Sequence, residues 1–294
     1  MTVKYDATDP MMFGGPPSKP PAFETARAVV LPVPFDRTTT YVPGTRNGPR
    51  EIIQASTHME VWDEETRADV HSSGAIFTLP EMELPFGEMA PVMDELQRVA
   101  GEIFKAGKFL VTLGGEHSIT PPIVAAAAAR HQGLSVLQID AHADLRDVYM
   151  GTPFNHACAM RRTLEHAPVT QVGIRSMSSE EAQAAGDLKT RIFYDFDMRR
   201  DPSWMDRVID ALSERVYITI DADGLDPAIM PAVGTPEPGG LSWQEAIALL
   251  KCVFTRRQVV GCDLVELCPI PGLVAPNFLC AKLVYKMLTY QLAR

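Results

Sequence analysis

The sequence is short of positive charge: its 294 residues carry 27 Lys+Arg against 37 Asp+Glu, a formal net charge of −10 at pH 7. A general nucleic-acid binder needs a basic face for phosphates, and the acidic balance argues against that class. No window approaches the roughly 18 uninterrupted apolar residues that a membrane span requires. The five cysteines, Cys158, Cys252, Cys262, Cys268 and Cys280, are odd in number and include no C-x-x-C pair. No disulfide framework is indicated, and a reducing compartment is expected. Residues 1–21 hold Asp6, Asp9 and five prolines without an apolar core, so they do not read as a secretory leader. The expectation is a cytoplasmic protein with no membrane and no nucleic-acid partner. Apolar residues at 46 % and charged residues at 22 % are ordinary for a globular chain long enough to bury a sizeable core.

What is present is alternation. Short Val/Ile-rich runs suited to strands buried on both faces fall at 28–33, 75–79, 109–113, 135–139, 169–174, 191–194, 216–220 and 259–264. Helical patterns lie between them at about 89–106, 119–130, 155–166, 202–213, 242–254 and 276–292. Ser242 with Glu245 makes a capping-box start, and Gly107 supplies a stop. Repeated βα units imply a mainly parallel sheet with helices on both faces. The expected fold is a single three-layer α/β/α domain over residues 26–294, preceded by an irregular Pro/Gly/Met-rich arm over 1–25. Met11 and Met12 in that arm read as packing residues. His58, His71, His131 and His166 read as surface or locally satisfied imidazoles, and nothing marks Cys158 as a nucleophile.

In open α/β sheets, ligands gather beyond the carboxyl ends of the strands. Three expected strand ends carry related residues: Gly114-Gly115-Glu116-His117-Ser118, Asp140-Ala141-His142-Ala143-Asp144, and Asp221-Ala222-Asp223. Residues two apart point the same way on extended chain, so Asp140, His142 and Asp144 converge, as do Asp221 and Asp223. Taken singly, a D-x-D is ordinarily a solvated loop or cap, and a G-G-x-H a tight turn. Together they offer four carboxylates and two imidazoles to one pocket. Four negative charges there would repel and raise their own pKa values. Two divalent cations neutralise them, and oxygen-rich donors with some imidazole and no thiolate suit Mn²⁺ first.

These motifs, with Asp226-Pro227 and Pro236-Glu237-Pro238-Gly239-Gly240, resemble those of the ureohydrolase family of arginase, agmatinase and formimidoylglutamase. The resemblance implies an eight-stranded parallel sheet and two Mn²⁺ per chain. One ion would be held by His117, Asp140, Asp144 and Asp221, the other by His142, Asp140, Asp221 and Asp223, with Asp140 and Asp221 bridging. It implies a hydroxide held between the ions, oriented by Asp144, that attacks a guanidinium carbon. Glu266 matches the family's guanidinium-binding glutamate, and His156 its proton-carrying histidine, although Ala157 stands where many relatives have Gly. Trimers or hexamers are implied as well. The loop 145–154 lacks the Asn/Ser/Thr run of arginase-like loops, which favours agmatine, giving putrescine and urea. Guanidinobutyrate and arginine are the rivals within the family. A non-catalytic regulatory homologue and a metal-dependent deacetylase are the rivals outside this chemistry.

Overall fold

The computed structural model describes residues 11–19 and 21–293. The first ten residues of the arm, with Asp6 and Asp9, therefore lie outside the described residues, as does Pro20. Eight strands form one sheet: β1 (Ala28–Val33), β2 (Ile76–Thr78), β3 (Phe109–Gly114), β4 (Leu134–Ile139), β5 (Val169–Ile174), β6 (Thr190–Tyr194), β7 (Arg215–Asp221) and β8 (Gln258–Val265). Their spatial order is β2-β1-β3-β8-β7-β4-β5-β6, and every pairing is parallel. The helices are α1 (Gly48–Ser56), α2 (Met89–Lys105), α3 (Thr120–Arg130), α4 (Ala159–Thr163), α5 (Ser179–Ala185), α6 (Asp195–Met198), α7 (Trp204–Ala211), α8 (Trp243–Arg256) and α9 (Ala275–Leu292).

The near-continuous apolar strands are buried on both sides, as a parallel sheet under two helical layers requires. Alternate residues feed two cores. Ala28, Val30, Val111 and Ile218 join one with α1, α7, α8 and α9. Val29, Leu31, Leu110 and Tyr217 join the other with α2 and α3. The three-layer α/β/α expectation therefore holds. The sheet order also makes β3, β8, β7 and β4 consecutive neighbours, although their carboxyl ends are far apart in sequence.

Two details differ from the sequence reading. The continuous helix expected over 155–166 is a 3₁₀ turn, His156–Cys158, followed by the five-residue α4. The turn is fixed by Asn155, whose Oδ1 accepts the Ala157 N–H at 3.0 Å. Helices α1, α5 and α6 are not among the expected elements. Within α1 only Ile52 and Ile53 are large buried apolar residues, too few to show a period. The described part of the arm packs on the body: Met12 and Phe13 are buried. The Phe13 N–H donates to Thr78 Oγ1 at 3.0 Å and the Gly14 N–H to Ser56 Oγ at 2.8 Å. His71 is buried, with Nε2 2.9 Å from Gly15 O, while His58 and His166 are exposed. Among the described residues no helix is long and apolar enough to cross a membrane.

Candidate metal centre

The site assembles at the carboxyl edge of the four central strands. His117 follows β3, Asp140, His142 and Asp144 follow β4, Asp221 ends β7 with Asp223 just beyond, and Glu266 follows β8. Gly115 is required here by space: a Cβ on it would lie 1.7 Å from Phe35 O, because the chain leaving β1 crosses it directly. Any side chain would push the His117 turn off the sheet edge.

His117 is almost completely buried. Its Nδ1 lies 3.1 Å from Asp140 Oδ2 and 3.3 Å from both Asp144 Oδ2 and Asp221 Oδ2. On the far side of the ring, Nε2 is 2.8 Å from Thr219 Oγ1, whose own proton goes to Asp263 Oδ1 at 2.5 Å. Thr219 must therefore accept from Nε2–H, so that in the neutral ring the lone pair is on Nδ1. That buried nitrogen has no hydrogen-bond partner. A lone pair facing three carboxylate oxygens is electrostatically unfavourable unless a cation lies among them, so this donor set fits a metal.

A second cluster adjoins the first. His142 Nδ1 lies 2.9 Å from Asp223 Oδ2 and 3.7 Å from Asp140 Oδ1. The donor atoms of His117, Asp140 and Asp221 all fall within 4.8 Å of one another, as do those of Asp140, His142 and Asp223. Asp140 is thus common to both. Its oxygens are aimed by Gln138 Nε2 and by the His142 N–H, each donating at 2.6 Å. Asp221 Oδ1 accepts the Asp223 N–H at 2.9 Å, and Asp223 Oδ1 accepts the Ala141 N–H at 3.1 Å.

The electrostatics show the crowding of like charge. Burial, and then Asp140 beside it, push the Asp144 carboxyl up to about 7. Burial, and then Asp223 and Asp140, hold Asp221 well above the carboxylate range. Burial works against charge on His142, but Asp223 and Asp140 outweigh it and raise that imidazole to about 12. Burial likewise opposes charge on His117, and Asp140, Asp144 and Asp221 overcome it. Burial, and then the neighbouring imidazoles of His117 and His142, depress His156 to about 4.

Glu266 is fixed at both its side chain and its backbone. Its Oε1 accepts the His117 N–H at 2.7 Å, and its own N–H donates to Gly115 O at 2.7 Å. Glu266 and Asp144 also share a backbone feature: both are non-glycine residues at positive φ, +64° and +53°. Such left-handed conformations cost of order 1–3 kcal/mol each and gather at functional sites. With His142, His156, Asp221 and Asp223, these two residues line an inner cavity of about 30 Å³. An outer cavity of about 270 Å³, which shares His142, Asp144 and His156 with it, is bordered by Arg146, Tyr149 and Glu181. All eight residues singled out in the sequence thus lie around a pair of adjoining cavities or in the carboxylate–imidazole cluster that shares residues with them. Arg146 Nε is 3.8 Å from Glu181, and its guanidinium stacks 4.5 Å over Tyr149. Burial, and then Asp144, push the Cys158 thiol up to about 11.

Several contributors escape the sequence reading. Thr38 and Glu116 sit beside His156 and His117. The run Thr38-Thr39-Thr40 follows β1 at the same sheet edge and could have been found by the strand-end rule. Gln138, Thr219 and Asp263 lie inside apolar strands, where a buried polar side chain is itself the signal. The Pro236–Gly240 motif forms no part of the carboxylate cluster. It is tied down by Arg175, whose guanidinium donates to Glu237 O at 3.0 Å and Asp223 O at 2.6 Å.

Comparison with known proteins agrees with this geometry. A family model described as the arginase family matches residues 26–289. The N(1)-aminopropylagmatine ureohydrolase of Synechocystis sp. is 37 % identical over 286 residues, covering 92 % of this chain and 90 % of that protein. An agmatinase of Bacillus anthracis is 34 % identical over 255 residues, covering 85 % and 86 %. The agmatine ureohydrolase of Thermoplasma volcanium superposes with a TM-score of 0.84 at 35 % identity, covering 92 % of this chain and 91 % of that one. With a match of this length and relatives of this similarity, the chain belongs to the arginase family, as a ureohydrolase acting on amidino compounds.

Proposed function

We propose that this chain, through residues 26–294, hydrolyses the guanidinium of agmatine, giving urea and putrescine. The observation that carries the reading is the buried, partnerless Nδ1 of His117 among three carboxylates. His117, Asp140, Asp144 and Asp221 would hold one Mn²⁺, and His142, Asp140, Asp221 and Asp223 a second. When bound, such a pair activates water near neutral pH and stabilises charge that develops at the attacked carbon.

The chain's own groups do the rest. Glu266 is held at Oε1 by the His117 N–H, which leaves Oε2 for the substrate's cationic head. Asp144 accepts a hydrogen bond from the attacking oxygen and keeps that oxygen aimed at carbon. His156 carries a proton to the leaving nitrogen as the carbon–nitrogen bond breaks, so that urea and a free amine depart. At the mouth, Arg146 is engaged by Glu181 and Tyr149, which supports a substrate without a carboxylate.

A second reading is the longer guanidine N(1)-aminopropylagmatine. It is favoured by the name of the Synechocystis relative and by the room in the outer cavity. Urea release from agmatine, N(1)-aminopropylagmatine, arginine and guanidinobutyrate after Mn²⁺ loading tests both. The ratio of kcat/KM for the first two chooses between the readings, and no urea from any of them rejects the reaction. A homo-oligomer, trimeric or hexameric, in the cytoplasm belongs to the same proposal, supported by the family resemblance. Sedimentation at several concentrations checks the assembly.

A further inference from the structure

We infer that Thr38 is a positioning residue for His156: relaying from the buried carboxylate of Glu116, its hydroxyl fixes the imidazole as the Nδ1–H tautomer. The inference rests on the proposed role of His156 as proton carrier and adds the group that prepares it. Glu116 is fully buried and acts as an acceptor on both oxygens. Oε2 takes the Thr38 N–H at 2.6 Å. Oε1 takes the Thr38 hydroxyl at 2.7 Å together with the Ser118 hydroxyl.

A hydroxyl has one proton, and that of Thr38 is committed to Glu116. The Thr38 oxygen can then only accept. It does so from the His156 backbone N–H at 3.0 Å, and it stands 3.2 Å from His156 Nδ1. Nδ1 must therefore carry hydrogen, and the basic lone pair of the neutral ring falls on Nε2. His156 borders both the inner and the outer cavity, so Nε2 is the nitrogen left to exchange protons with a reacting group. Because Thr38 holds the His156 backbone and ring with one oxygen, it sets both the place and the proton inventory of the base. The logic is that of an orienting group behind a general base, built here from a neutral hydroxyl and a distant carboxylate.

The first test leaves Thr38 and Glu116 unchanged. Two-bond ¹⁵N–¹H spectra of the metal-free wild-type protein, with His156→Ala to assign the signal, report the tautomer directly. An Nδ1–H pattern is expected, and an Nε2–H pattern for His156 overturns the inference. The second test uses Thr38→Val, which keeps the shape and removes the hydroxyl, beside Thr38→Ser, which retains it. In the Mn²⁺-loaded enzyme, Thr38→Val is expected to lower kcat about tenfold or more, part of the roughly 10²–10⁴-fold that a general acid–base contributes. KM and bound metal should stay at wild-type values, and Thr38→Ser should recover most of the rate. Wild-type kcat in Thr38→Val, or a loss that Thr38→Ser does not restore, overturns the positioning role. Undiminished turnover in His156→Ala removes instead the proton-carrier reading, while the tautomer measurement still decides whether Thr38 fixes the ring.

Discussion

Replacing Thr219 by Val should weaken metal binding at a distance from any ligand oxygen. The side chain keeps nearly its shape and loses the bond accepted from His117 Nε2–H, the one donated to Asp263, and a 3.4 Å contact with Thr120 Oγ1. Asp263 remains bonded to Tyr217 at 2.9 Å and to Thr120 at 3.0 Å, so the strand pair β7–β8 should persist. The His117 ring has no such reserve. Leaving a buried N–H without an acceptor costs about 1–3 kcal/mol. The ring can escape that cost only by moving its proton to Nδ1, the atom that faces Asp140, Asp144 and Asp221. A cation must then expel a proton before Nδ1 can ligate. Either route should weaken binding about 10–100-fold, the range seen when a ligand's outer partner is removed. Calorimetric titration of Mn²⁺ into the metal-free variant, against a competing chelator, reads the change. Affinity indistinguishable from wild type in a folded variant would refute the tautomer argument and with it the assignment of Nδ1 as the donor atom.

Asp140→Ala removes the carboxylate common to both clusters, and bound metal and activity should vanish together; metal analysis with turnover intact would take Asp140 out of the site. Glu266→Gln should leave metal content unchanged while lowering kcat/KM about 10–100-fold, the worth of one charge-assisted hydrogen bond; an unchanged kcat/KM would show that this carboxylate does not hold the guanidinium. The acid stability limb offers a check away from the site. Burial works to raise Glu65, but Lys251, Tyr290 and Lys286 outweigh it and hold the carboxyl at about 2, against an ordinary 4.5. A depressed carboxylate contributes stability above its unfolded value that is lost as pH falls through its folded one. Lys251→Met, which breaks a 2.8 Å ion pair to Glu65, should flatten the loss of stability between about pH 4.5 and 2. Urea unfolding across that window measures it, and identical slopes for variant and wild type would contradict the assignment.

The legible part of the sequence was the part governed by local rules. Strands buried on both faces show as unbroken Val/Ile runs, so β1 and β5 fall where the pattern put them. Polar residues placed just past such runs stand out, which is why His117, Asp140, His142, Asp144, Asp221 and Asp223 could be found together. Features set by tertiary contact were less visible. Helix α1 begins with Pro49 at its first turn but owes its place to packing on α9, which no period of nine residues can announce. Thr38 is one of three adjacent threonines, and only the return of Glu116 and His156 to its side distinguishes it. Gln138 and Asp263 are polar interruptions in apolar strands, and each has a partner on another segment, Gln171 and Thr120.

The order of the strands supplies the remaining reason that the site can exist. Residues 117, 140–144, 221–223 and 266 are spread over half the chain, yet the sheet sets their strands side by side as β3, β8, β7 and β4. Adjacent parallel strands lie about 4.8 Å apart, so side chains at neighbouring carboxyl ends can meet without any long loop reaching inward. A rigid edge is needed because the groups it presents repel: four carboxylates gathered around two imidazoles would splay from a flexible loop. Here they are pinned by backbone or buried side-chain donors, Asp140 by Gln138, Asp221 by the Asp223 N–H and Asp223 by the Ala141 N–H. The strain at Asp144 and Glu266 has the same origin, since turning each chain sharply at a strand end keeps its carboxylate in the pocket. The hydrophobic layers on both faces of the sheet hold that edge in place, so the charge at the site is supported by burial elsewhere in the fold.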